Sequence, residues 1–404
     1  MASHKKKYLL ISPDFPPPLV GGSLVWLLNL LNNCPEDFDI LTGPKDNSFE
    51  EIFEDSNRKT VYRSKFIKDS HDPSKIQLLH TYFYMPIWMV LKNYREKYSA
   101  VLVNPGALGN SILFLVGKIF KIKVIGVGHG EEITVPLYGK GLKNFVKRLI
   151  MKFSYKHSYG FIVVCHFCRR LLIDLKVDKE MIDVIPSCLN PNKIINNLKE
   201  KKKNFKIISV GRLIERKGFH FLIDAVSLLK KEIPEIQLEI VGDGPYKEKL
   251  EKKVSENNAS SFVNLNGQLL DEDLIKIYED ASLFVLAHTL LENGDTEGCP
   301  TVFSEAMGYG LPIIGGTGAG ADTAIIEGCN GFIVNSKNIE EIVDAIKKIL
   351  LDPDLSKKMS LFGKEKLKKD HDPIKNGIAL QKSLQRIVNS DLADGYQKEL
   401  NEKN

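Results

Sequence analysis

The sequence predicts an α/β protein made of two Rossmann-like, doubly wound domains. Its 404 residues exceed the ~150 residues of one typical domain. Short apolar segments alternate with helical patterns in both halves, as in sheets whose strands are linked by helices. The strand-like segments are mostly apolar rather than alternating, which indicates strands covered on both faces of a parallel sheet.

The first half shows this alternation before residue 165. The segment 8–12 is typical of a strand, and 23–31 is typical of an apolar helix. Further strands are predicted at 100–103, 123–127 and 161–164. All are short, as buried strands usually are.

The second half repeats the pattern more clearly. Strands are predicted at 206–210, 237–241, 262–265, 283–287, 312–315 and 332–334. Helices are predicted at 218–231, from Pro245 onward, and at 272–280, 301–310, 339–351 and 373–388. The first of these helices carries an apolar face, which is the usual sign of a helix packed on a sheet.

A polar, lysine-rich stretch separates the two halves. Residues 189–204 have little apolar patterning, which is typical of a linker. We therefore expect an N-terminal domain over 1–190 and a C-terminal domain from 191 to 372.

Composition and charge exclude several classes of protein. The chain is 43% hydrophobic and 26% charged, as in ordinary globular proteins, so extensive disorder is excluded. A formal charge of +5 is too small to indicate nucleic-acid binding. No apolar run approaches the ~18 residues of a membrane span, and the basic start is followed too soon by Pro13 for a secretory signal. We expect a cytoplasmic protein with its six cysteines reduced.

The loop after the strand 206–210 is the first candidate site. It reads GRLIERKG and begins at Gly211. In α/β sheets, ligands bind at the carboxyl ends of strands. Arg212 and Lys217 could bind a diphosphate there, the first as a planar fork and the second as a point charge. Two solvated surface charges are the alternative interpretation of this segment alone.

A second candidate is the loop that leads into helix 301–310. Pro300 suits a helix start, so free backbone N–H groups should lie near Cys299 and offer an anion site. Glu305 could accept hydrogen bonds from ribose hydroxyls, and Glu297 would face the group attached to the phosphates. Two unrelated surface glutamates are the alternative.

Two further segments follow strands of the first half. Gly21 and Gly22 open the helix 23–31, where they permit close approach of a ligand to the backbone; a plain glycine-rich turn is the alternative. His129 lies between two glycines after the strand 123–127 and could bond a sugar hydroxyl. A structural histidine is the alternative there.

Together and in this order, these segments resemble the family 4 retaining glycosyltransferases of the GT-B fold. The resemblance spans nearly the full chain, through PDFPPPLVGGS, GHGEE, DVIPSCLN, VGRLIERKG, VGDGP, EGCPTVFSEAMGYGLPII and GADTAIIEGCNGFIV. The E-x7-E pattern of Glu297 and Glu305 is specific when it follows GR…KG at this distance.

The resemblance implies two Rossmann-like domains that face each other across a cleft, with the segment 373–404 crossing back to the N-terminal domain. It implies transfer of a hexosyl group from a nucleoside-diphosphate sugar, with retention, to a hydroxyl acceptor. The base of the donor (uracil, guanine or adenine), its sugar and the acceptor stay open. The alternatives are a soluble small-molecule acceptor and a non-catalytic nucleotide-sugar-binding protein of the same fold.

The resemblance also assigns roles by motif position. Arg212 and Lys217 would hold the diphosphate, Glu297 and His129 the donor sugar, and Glu305 the ribose. The remaining donor contacts would come from Gly21, Gly22, Gly211, Gln268, Leu269, Cys299, Thr301 and Val302.

No metal or other cofactor is expected. Two fixed cations and a helix N-terminus can neutralise a departing diphosphate without one. The D-x-D matches at 271–273 and 352–354 lie near helix starts and are interpreted as helix capping. The C-x-x-C of Cys165 and Cys168 lacks partner ligands, so buried thiols are expected. The G-x-G-x-x-A at 316–321 lacks the long helix that a dinucleotide site needs.

The stretch 139–160 carries six basic and no acidic residues together with several apolar ones. The pattern is typical of a basic amphipathic helix, which could lie on the anionic inner face of the cytoplasmic membrane. A lipid or lipid-linked acceptor would then be natural. The alternative is a helix that packs its apolar stripe on its own domain. Residues proposed to line the acceptor site are His80, Tyr82, Tyr84, Asn104 and Asn110.

Overall fold

The computed structural model of the chain describes residues 6–12, 15, 22–43, 59–64, 75–104, 108–188 and 204–390. Within these ranges the chain divides into two compact units. One comprises the chain up to Val164, Cys168–Ile185 and the segment from Pro373 onward. The other comprises Cys165–Phe167 and Pro186–Asp372.

The first unit is built on a parallel sheet of seven strands. The strands are β1 (Lys7–Ile11), β2 (Asp37–Thr42), β3 (Lys59–Arg63), β4 (Ala100–Val103), β5 (Val124–Gly128), β6 (Gly160–Val163) and β7 (Ile182–Val184). Their order in the sheet is β3-β2-β1-β4-β5-β6-β7. Every described pairing is parallel, so each connection must cross over the sheet.

Helices cover this sheet. They are α1 (Gly22–Asn33), α2 (Lys75–Glu96), α3 (Leu108–Ile119), α4 (Glu131–Tyr138), α5 (Leu142–Tyr155) and α6 (His166–Asp174). The last helix of the chain, α14 (Pro373–Asn389), packs on α1. The backbones approach so closely that a Cβ on Gly377 would lie 2.2 Å from the Asn33 carbonyl oxygen.

The second unit has a parallel sheet of six strands. They are β8 (Lys206–Val210), β9 (Gln237–Val241), β10 (Val263–Leu265), β11 (Leu283–Leu286), β12 (Ile313–Gly316) and β13 (Gly331–Val334). The order is β10-β9-β8-β11-β12-β13. The direction of winding reverses between β8 and β11, which are neighbours. Such a reversal opens a crevice at the carboxyl ends of the strands.

The helices of the second unit are α7 (Phe219–Leu229), α8 (Lys247–Glu256), α9 (Asp271–Asp280), α10 (Thr301–Gly308), α11 (Ala321–Ala324), α12 (Ile339–Leu350) and α13 (Pro353–Asp370). Short helical turns lie at Lys179–Met181 in the first unit and at Glu215–Lys217 in the second. Asp352 caps α13 as expected, since its side chain accepts from the N–H of Leu355 at 3.0 Å. The other D-x-D match lies inside the first turn of α9, whose cap residue Leu270 provides no side-chain bond.

The predicted fold class is confirmed, whereas several individual elements were missed. The strands β2, β3 and β7 and the helices α2, α3, α4, α6 and α13 were not predicted. β3 is only partly buried, so it lacks the apolar run that signals a central strand. Pro245 lies in a turn, and α8 begins two residues later. The linker 189–203 and the tail from 391 lie outside the described residues.

Candidate active site

Two loops at neighbouring strand ends bring the main candidate residues together. The loop 211–218 follows β8, and the loop 287–300 follows β11. Because β8 and β11 are adjacent and parallel, both loops emerge at the same edge of the sheet. A backbone hydrogen bond from the Thr289 N–H to the Arg216 carbonyl oxygen, 2.8 Å long, joins them.

A compact cluster of charges lies between these loops. The Glu297 carboxylate accepts from Arg216 Nε at 2.7 Å through Oε1, and its Oε2 lies 3.0 Å from Lys217 Nζ. Arg216 also donates to Asp295 Oδ1 at 2.7 Å. Lys217 and Glu297 are each only 9% exposed. Buried ions of this kind need such mutual pairing, because burial of a lone charge is costly.

The pKa of Glu297 shows how strongly its partners act on it. Burial by itself raises the pKa of this carboxyl, but the neighbouring Lys217 and Arg216 cations outweigh burial and lower the pKa to about 2. The carboxylate is therefore ionised throughout the neutral range. It presents a fixed negative charge between two fixed positive charges.

Glycines allow the backbone to approach closely around Lys217. Gly218 has φ +69°, and a Cβ there would lie 1.7 Å from the Ala287 carbonyl oxygen. A Cβ on Gly211 would lie 3.4 Å from Lys217 Cε, so the lysine side chain folds back over the start of its own loop. A Cβ on Gly242 would meet the Gly211 carbonyl oxygen at 2.0 Å.

The arginine that pairs with Glu297 is one that the sequence analysis did not single out. Arg212 is exposed, whereas Arg216 makes the paired contacts with Glu297 and Asp295. Arg216 was missed because both arginines lie in a loop, where no repeating pattern of apolar residues shows which side chains point inward. The available signal was its position beside Lys217 and two residues before the glycine turn at Gly218.

The loop into α10 places the expected anion-binding groups at a helix start. Pro300 is the cap residue of α10 and provides no side-chain cap. Thr301 and Val302 form the first turn of the helix, so their N–H groups have no acceptor within it. Both residues are half-buried. Cys299 is buried, and burial raises the pKa of its thiol to about 12; its Sγ accepts from Ser187 Oγ at 3.5 Å.

Glu305 is held by an aromatic pair. The Tyr278 hydroxyl donates to its Oε2 at 3.2 Å. The ring of Tyr278 stacks on that of Tyr309, with centroids 4.7 Å apart and planes 4° from parallel. The carboxylate of Glu305 therefore has a defined position one turn into α10.

Gln268 and Leu269 follow β10. Gln268 is exposed and Leu269 half-buried. The carbonyl oxygen of the preceding Gly267 accepts from the Gly242 N–H at 2.8 Å. That bond ties the loop after β10 to the loop after β9, although it does not bring either residue into the charged cluster.

A buried histidine beside the cluster was not predicted. His288 is fully buried two residues after the end of β11, and burial lowers its pKa to about 4. Its Nδ1 lies 3.0 Å from the Leu286 carbonyl oxygen, while its Nε2 has no partner among the described residues. The available signal was its position, two residues past the end of β11 and in the same loop as Glu297.

The other candidates belong to the first unit. The ring of His129 packs edge-on against Trp26, with centroids 4.7 Å apart, and burial lowers its pKa to about 4. Glu132 orients the loop, since it accepts from the N–H groups of His129 and Gly130. Gly22 is exposed at the first position of α1, and Gly21 lies outside the described residues.

Among the proposed acceptor residues, Asn110 is buried and its Nδ2 bonds the Asn104 carbonyl oxygen. Tyr82 is half-buried, and burial raises its pKa. Tyr84 is also half-buried, and the side chain of His80 lies outside the described residues.

The remaining sequence motifs were not assigned to ligand binding. All six cysteines are free thiols, and Cys165 and Cys168 are buried as expected. The helix after the G-x-G-x-x-A segment, α11, has only four residues. Across the described ranges, no three His, Cys, Asp or Glu side chains are grouped so that they could hold a metal ion.

Comparison with known structures defines the class of fold. Sucrose-phosphate synthase from Thermosynechococcus elongatus superposes with a TM-score of 0.73 at 18% identity, covering 95% of this chain and 99% of that one. HepE from Anabaena, in complex with UDP and glucose, gives 0.69 at 16%, covering 94% and 99%. At these identities the likeness concerns the fold alone, which is the GT-B fold.

Sequence comparison gives relatives that are glycosyltransferases. Residues 191–366 match the model of the family "Glycosyl transferases group 1". An uncharacterized glycosyltransferase of Haemophilus influenzae is 33% identical over 44% of this chain and 48% of its own length. A GDP-mannose-dependent α-(1-6)-phosphatidylinositol monomannoside mannosyltransferase of Mycobacterium tuberculosis is 29% identical over 39% and 42%.

These matches span less than half of either curated relative. A longer match is to an uncharacterized glycosyltransferase of Methanocaldococcus jannaschii, which is 26% identical over 95% of this chain and 100% of that protein. Residues 191–366, which match the family model, contain every member of the charged cluster.

Proposed function

We propose that this protein is a retaining glycosyltransferase of family 4. It would move a hexosyl group from a nucleoside-diphosphate sugar to a hydroxyl acceptor. The observation that carries the proposal is the buried cluster of Arg216, Lys217 and Glu297 at the switch point of the second sheet. A site with two fixed cations at such a crevice suits a dianionic diphosphate.

The cations would act on the leaving group. When the bond between the sugar C1 and the phosphate oxygen breaks, negative charge grows on that oxygen. Lys217 and Arg216 are already held in place, so they stabilise this charge without reorganisation. The N–H groups at the start of α10 add partial positive charge. Arg212, which is exposed in the same loop, would bind the diphosphate together with Lys217.

Retention would follow from attack on the face that the diphosphate leaves. The acceptor oxygen forms the new bond to C1, and its proton passes to the departing phosphate oxygen. The products are the glycoside and the nucleoside diphosphate, so atoms and charges balance. No side-chain nucleophile and no metal ion takes part in this scheme.

The remaining residues would position the donor. Glu305, fixed by Tyr278, would accept from the ribose hydroxyls. Glu297 and His129 would bond hydroxyls of the sugar, and the pKa of His129 near 4 keeps its ring neutral and able to accept. Gly22, Gly211, Gln268, Leu269, Cys299, Thr301 and Val302 would complete the donor site.

The relatives suggest the pathway class but leave the substrates open. Their names include a GDP-mannose-dependent enzyme, an amylovoran biosynthesis glycosyltransferase of Erwinia amylovora, and a UDP-N-acetylglucosamine-dependent subunit of Streptococcus gordonii. We therefore propose a UDP- or GDP-sugar donor and a role in glycolipid or surface polysaccharide synthesis.

The test is release of nucleoside diphosphate from a panel of UDP- and GDP-sugars, with and without cell lipid extract. We expect one donor to be turned over, faster with lipid, and the anomeric configuration of the product to match the donor. Full activity in a chelator is expected. Binding of a donor without turnover under any acceptor fraction would instead identify a non-catalytic binder.

Variants link this activity to the cluster. Lys217→Ala and Glu297→Gln should each reduce turnover about 100-fold or more, the usual loss when one group that stabilises the transition state is removed. Lys253→Ala is the matched control, because it also removes a lysine from an ion pair, 2.8 Å from Asp224. Near-normal rates for both site variants would refute the site assignment.

A further inference from the structure

The structure shows an unusual distribution of apolar side chains on the first unit. Of the 21 large apolar residues that are exposed in the described chain, twelve lie between Phe83 and Phe153. Scattered single apolar residues are normal on a surface, whereas a concentration of them marks an interaction site.

Helix α5 is the centre of this concentration. Its apolar residues recur at intervals of three and four, which places them on one stripe. The stripe consists of Leu142, Phe145, Val146, Leu149 and Phe153, whose exposed fractions range from 42% to 79%. The helix thus carries its apolar stripe towards solvent.

The opposite side of α5 attaches the helix to its unit. Met151, Ser154 and Tyr155 are buried, and Tyr155 packs against Phe114 and Phe161. The expectation that the helix packs its apolar stripe on its own domain is therefore wrong. Burial falls on the other face, and the stripe is left without a partner in the described structure.

Neighbouring helices extend the apolar surface. α3 packs on α5, and its end exposes Ile119 and Phe120. A bond of 3.3 Å between Lys118 Nζ and His157 Nδ1 joins the ends of the two helices, and His157 contacts Phe153 edge-on. α2 packs on α3 and exposes a second stripe of Phe83, Ile87, Leu91 and Tyr94.

The charge of this region is of one sign. No acidic residue occurs between Glu132 and Asp174, nor between Glu96 and Glu131. Exposed lysines flank the stripe of α5, among them Lys152 and Lys156. Two copies of such a surface would bring lysine against lysine, so self-association is disfavoured.

We infer that α5, with the exposed ends of α3 and the stripe of α2, docks the protein on the surface of an anionic lipid bilayer. The apolar stripe would enter the boundary between headgroups and acyl chains, while the lysines contact anionic headgroups. The helix would lie on the membrane rather than cross it. This inference does not depend on the proposed transferase activity.

Co-sedimentation of the full-length protein with vesicles tests the inference. We expect binding to vesicles of equimolar phosphatidylcholine and phosphatidylglycerol, weak binding to phosphatidylcholine alone, and release at high salt because the charges are screened. In addition, Phe145→Trp should show blue-shifted tryptophan emission on addition of the anionic vesicles.

Two pairs of variants separate the apolar and the charged contributions. The apolar double variant combines Leu149→Ser and Phe153→Ser, and the charge double variant combines Lys152→Glu and Lys156→Glu. Each double variant should lower the partition coefficient for anionic vesicles at least about tenfold. The matched controls are Leu351→Ser with Leu361→Ser, which are similarly exposed on the second unit, and Lys357→Glu with Lys358→Glu, which are exposed on α13. Both controls should bind as the unmodified protein does.

Three outcomes would overturn the inference. One is equal binding of the α5 variants and their controls. A second is equal binding to neutral and anionic vesicles. A third is absence of vesicle binding together with a dimer that the serine variants dissociate, which would identify the surface as an interface between copies. Unchanged melting temperatures would show that the variants are folded.

Discussion

At the scale of single residues, the candidate site depends on one carboxylate that serves two cations. Glu297 uses one oxygen for Arg216 and the other for Lys217. The three side chains are mostly withdrawn from water, so their charges are compensated by one another rather than by solvent. The same arrangement that would bind a diphosphate therefore also stabilises the loops.

This dependence gives a prediction for stability. Glu297→Ala should lower the free energy of unfolding by about 2–4 kcal/mol, because it removes the counter-charge of buried Lys217 and leaves Arg216 with Asp295 alone. Lys217→Ala should cost less, since Glu297 keeps Arg216. Urea unfolding measures both. The control is Glu232→Ala, which breaks a more exposed pair with Lys347 and should cost about 1 kcal/mol or less; an equal loss for Glu297→Ala would contradict the prediction.

Three buried histidines predict sensitivity to acid. Burial lowers the pKa of His129, His288 and His371 to about 4 from an ordinary value of 6.5. Between these values the unfolded chain binds protons that the folded chain does not. Folded stability should therefore fall as the pH is lowered from 6.5 to 4, by up to about 3 kcal/mol per histidine.

The titration of Glu297 extends the loss of folded stability to lower pH. Its pKa is lowered to about 2, so the stability that it contributes is present above 4.5 and is lost as the pH falls from 4.5 to 2. Urea midpoints across pH measure the total effect, and NMR titration of the ring protons assigns it. A pKa near 6.5 for His288 in the folded protein would contradict the prediction.

At the scale of elements, the positions of the site residues follow from glycine turns at strand ends. The short helical turn at Glu215–Lys217 ends at Gly218, which is left-handed and has no room for a Cβ. Gly218 packs against the backbone of Ala287, the first residue beyond β11. The two loops therefore approach closely enough for their charged side chains to pair.

A comparison of two glycines tests this account. Gly218 and Gly328 have similar left-handed φ values, +69° and +72°, but only Gly218 has an atom in the way of a Cβ. Gly328→Ala should cost about 1 kcal/mol from the backbone conformation alone. Gly218→Ala should cost more than about 3 kcal/mol, because the Ala287 carbonyl must also move. Thermal unfolding measures both, and equal losses would show that the close approach is unimportant.

At the scale of the whole molecule, the chain forms two units of which one is discontinuous in sequence. Helix α14 follows the second unit in the chain but belongs to the first, where Leu380, Leu384 and Ile387 are buried. The first unit therefore cannot be complete until the last described helix has been made.

Hydrogen exchange can test this organisation. Leu384→Ala and Ile346→Ala each truncate a fully buried side chain and should cost about 2–5 kcal/mol. Leu384→Ala should speed exchange in β1 and β4, whereas Ile346→Ala, on α12, should speed exchange in β8 and β11. Faster exchange in β8 after Leu384→Ala, without any change in β1, would contradict the division of the chain.

Fold class was predictable from sequence because the central strands are buried on both faces. β4, β8 and β9 have the predicted limits, since continuous apolar runs can form little else at that length. The marginal elements were not predictable in this way. β3 is partly exposed, and α13 has mostly polar residues with few buried positions, so neither carries a strong pattern.

The sequence by itself determined the two α/β units and located the lysine loop and the glutamate loop as candidate site segments, because strand ends and helix starts leave a local signature. Tertiary structure alone decided that Arg216 rather than Arg212 joins Glu297, that His288 lies beside them, and that α5 turns its apolar stripe outward. Loops have no periodicity, and an amphipathic pattern does not say which face meets the core. Those choices depend on contacts between segments far apart in the chain.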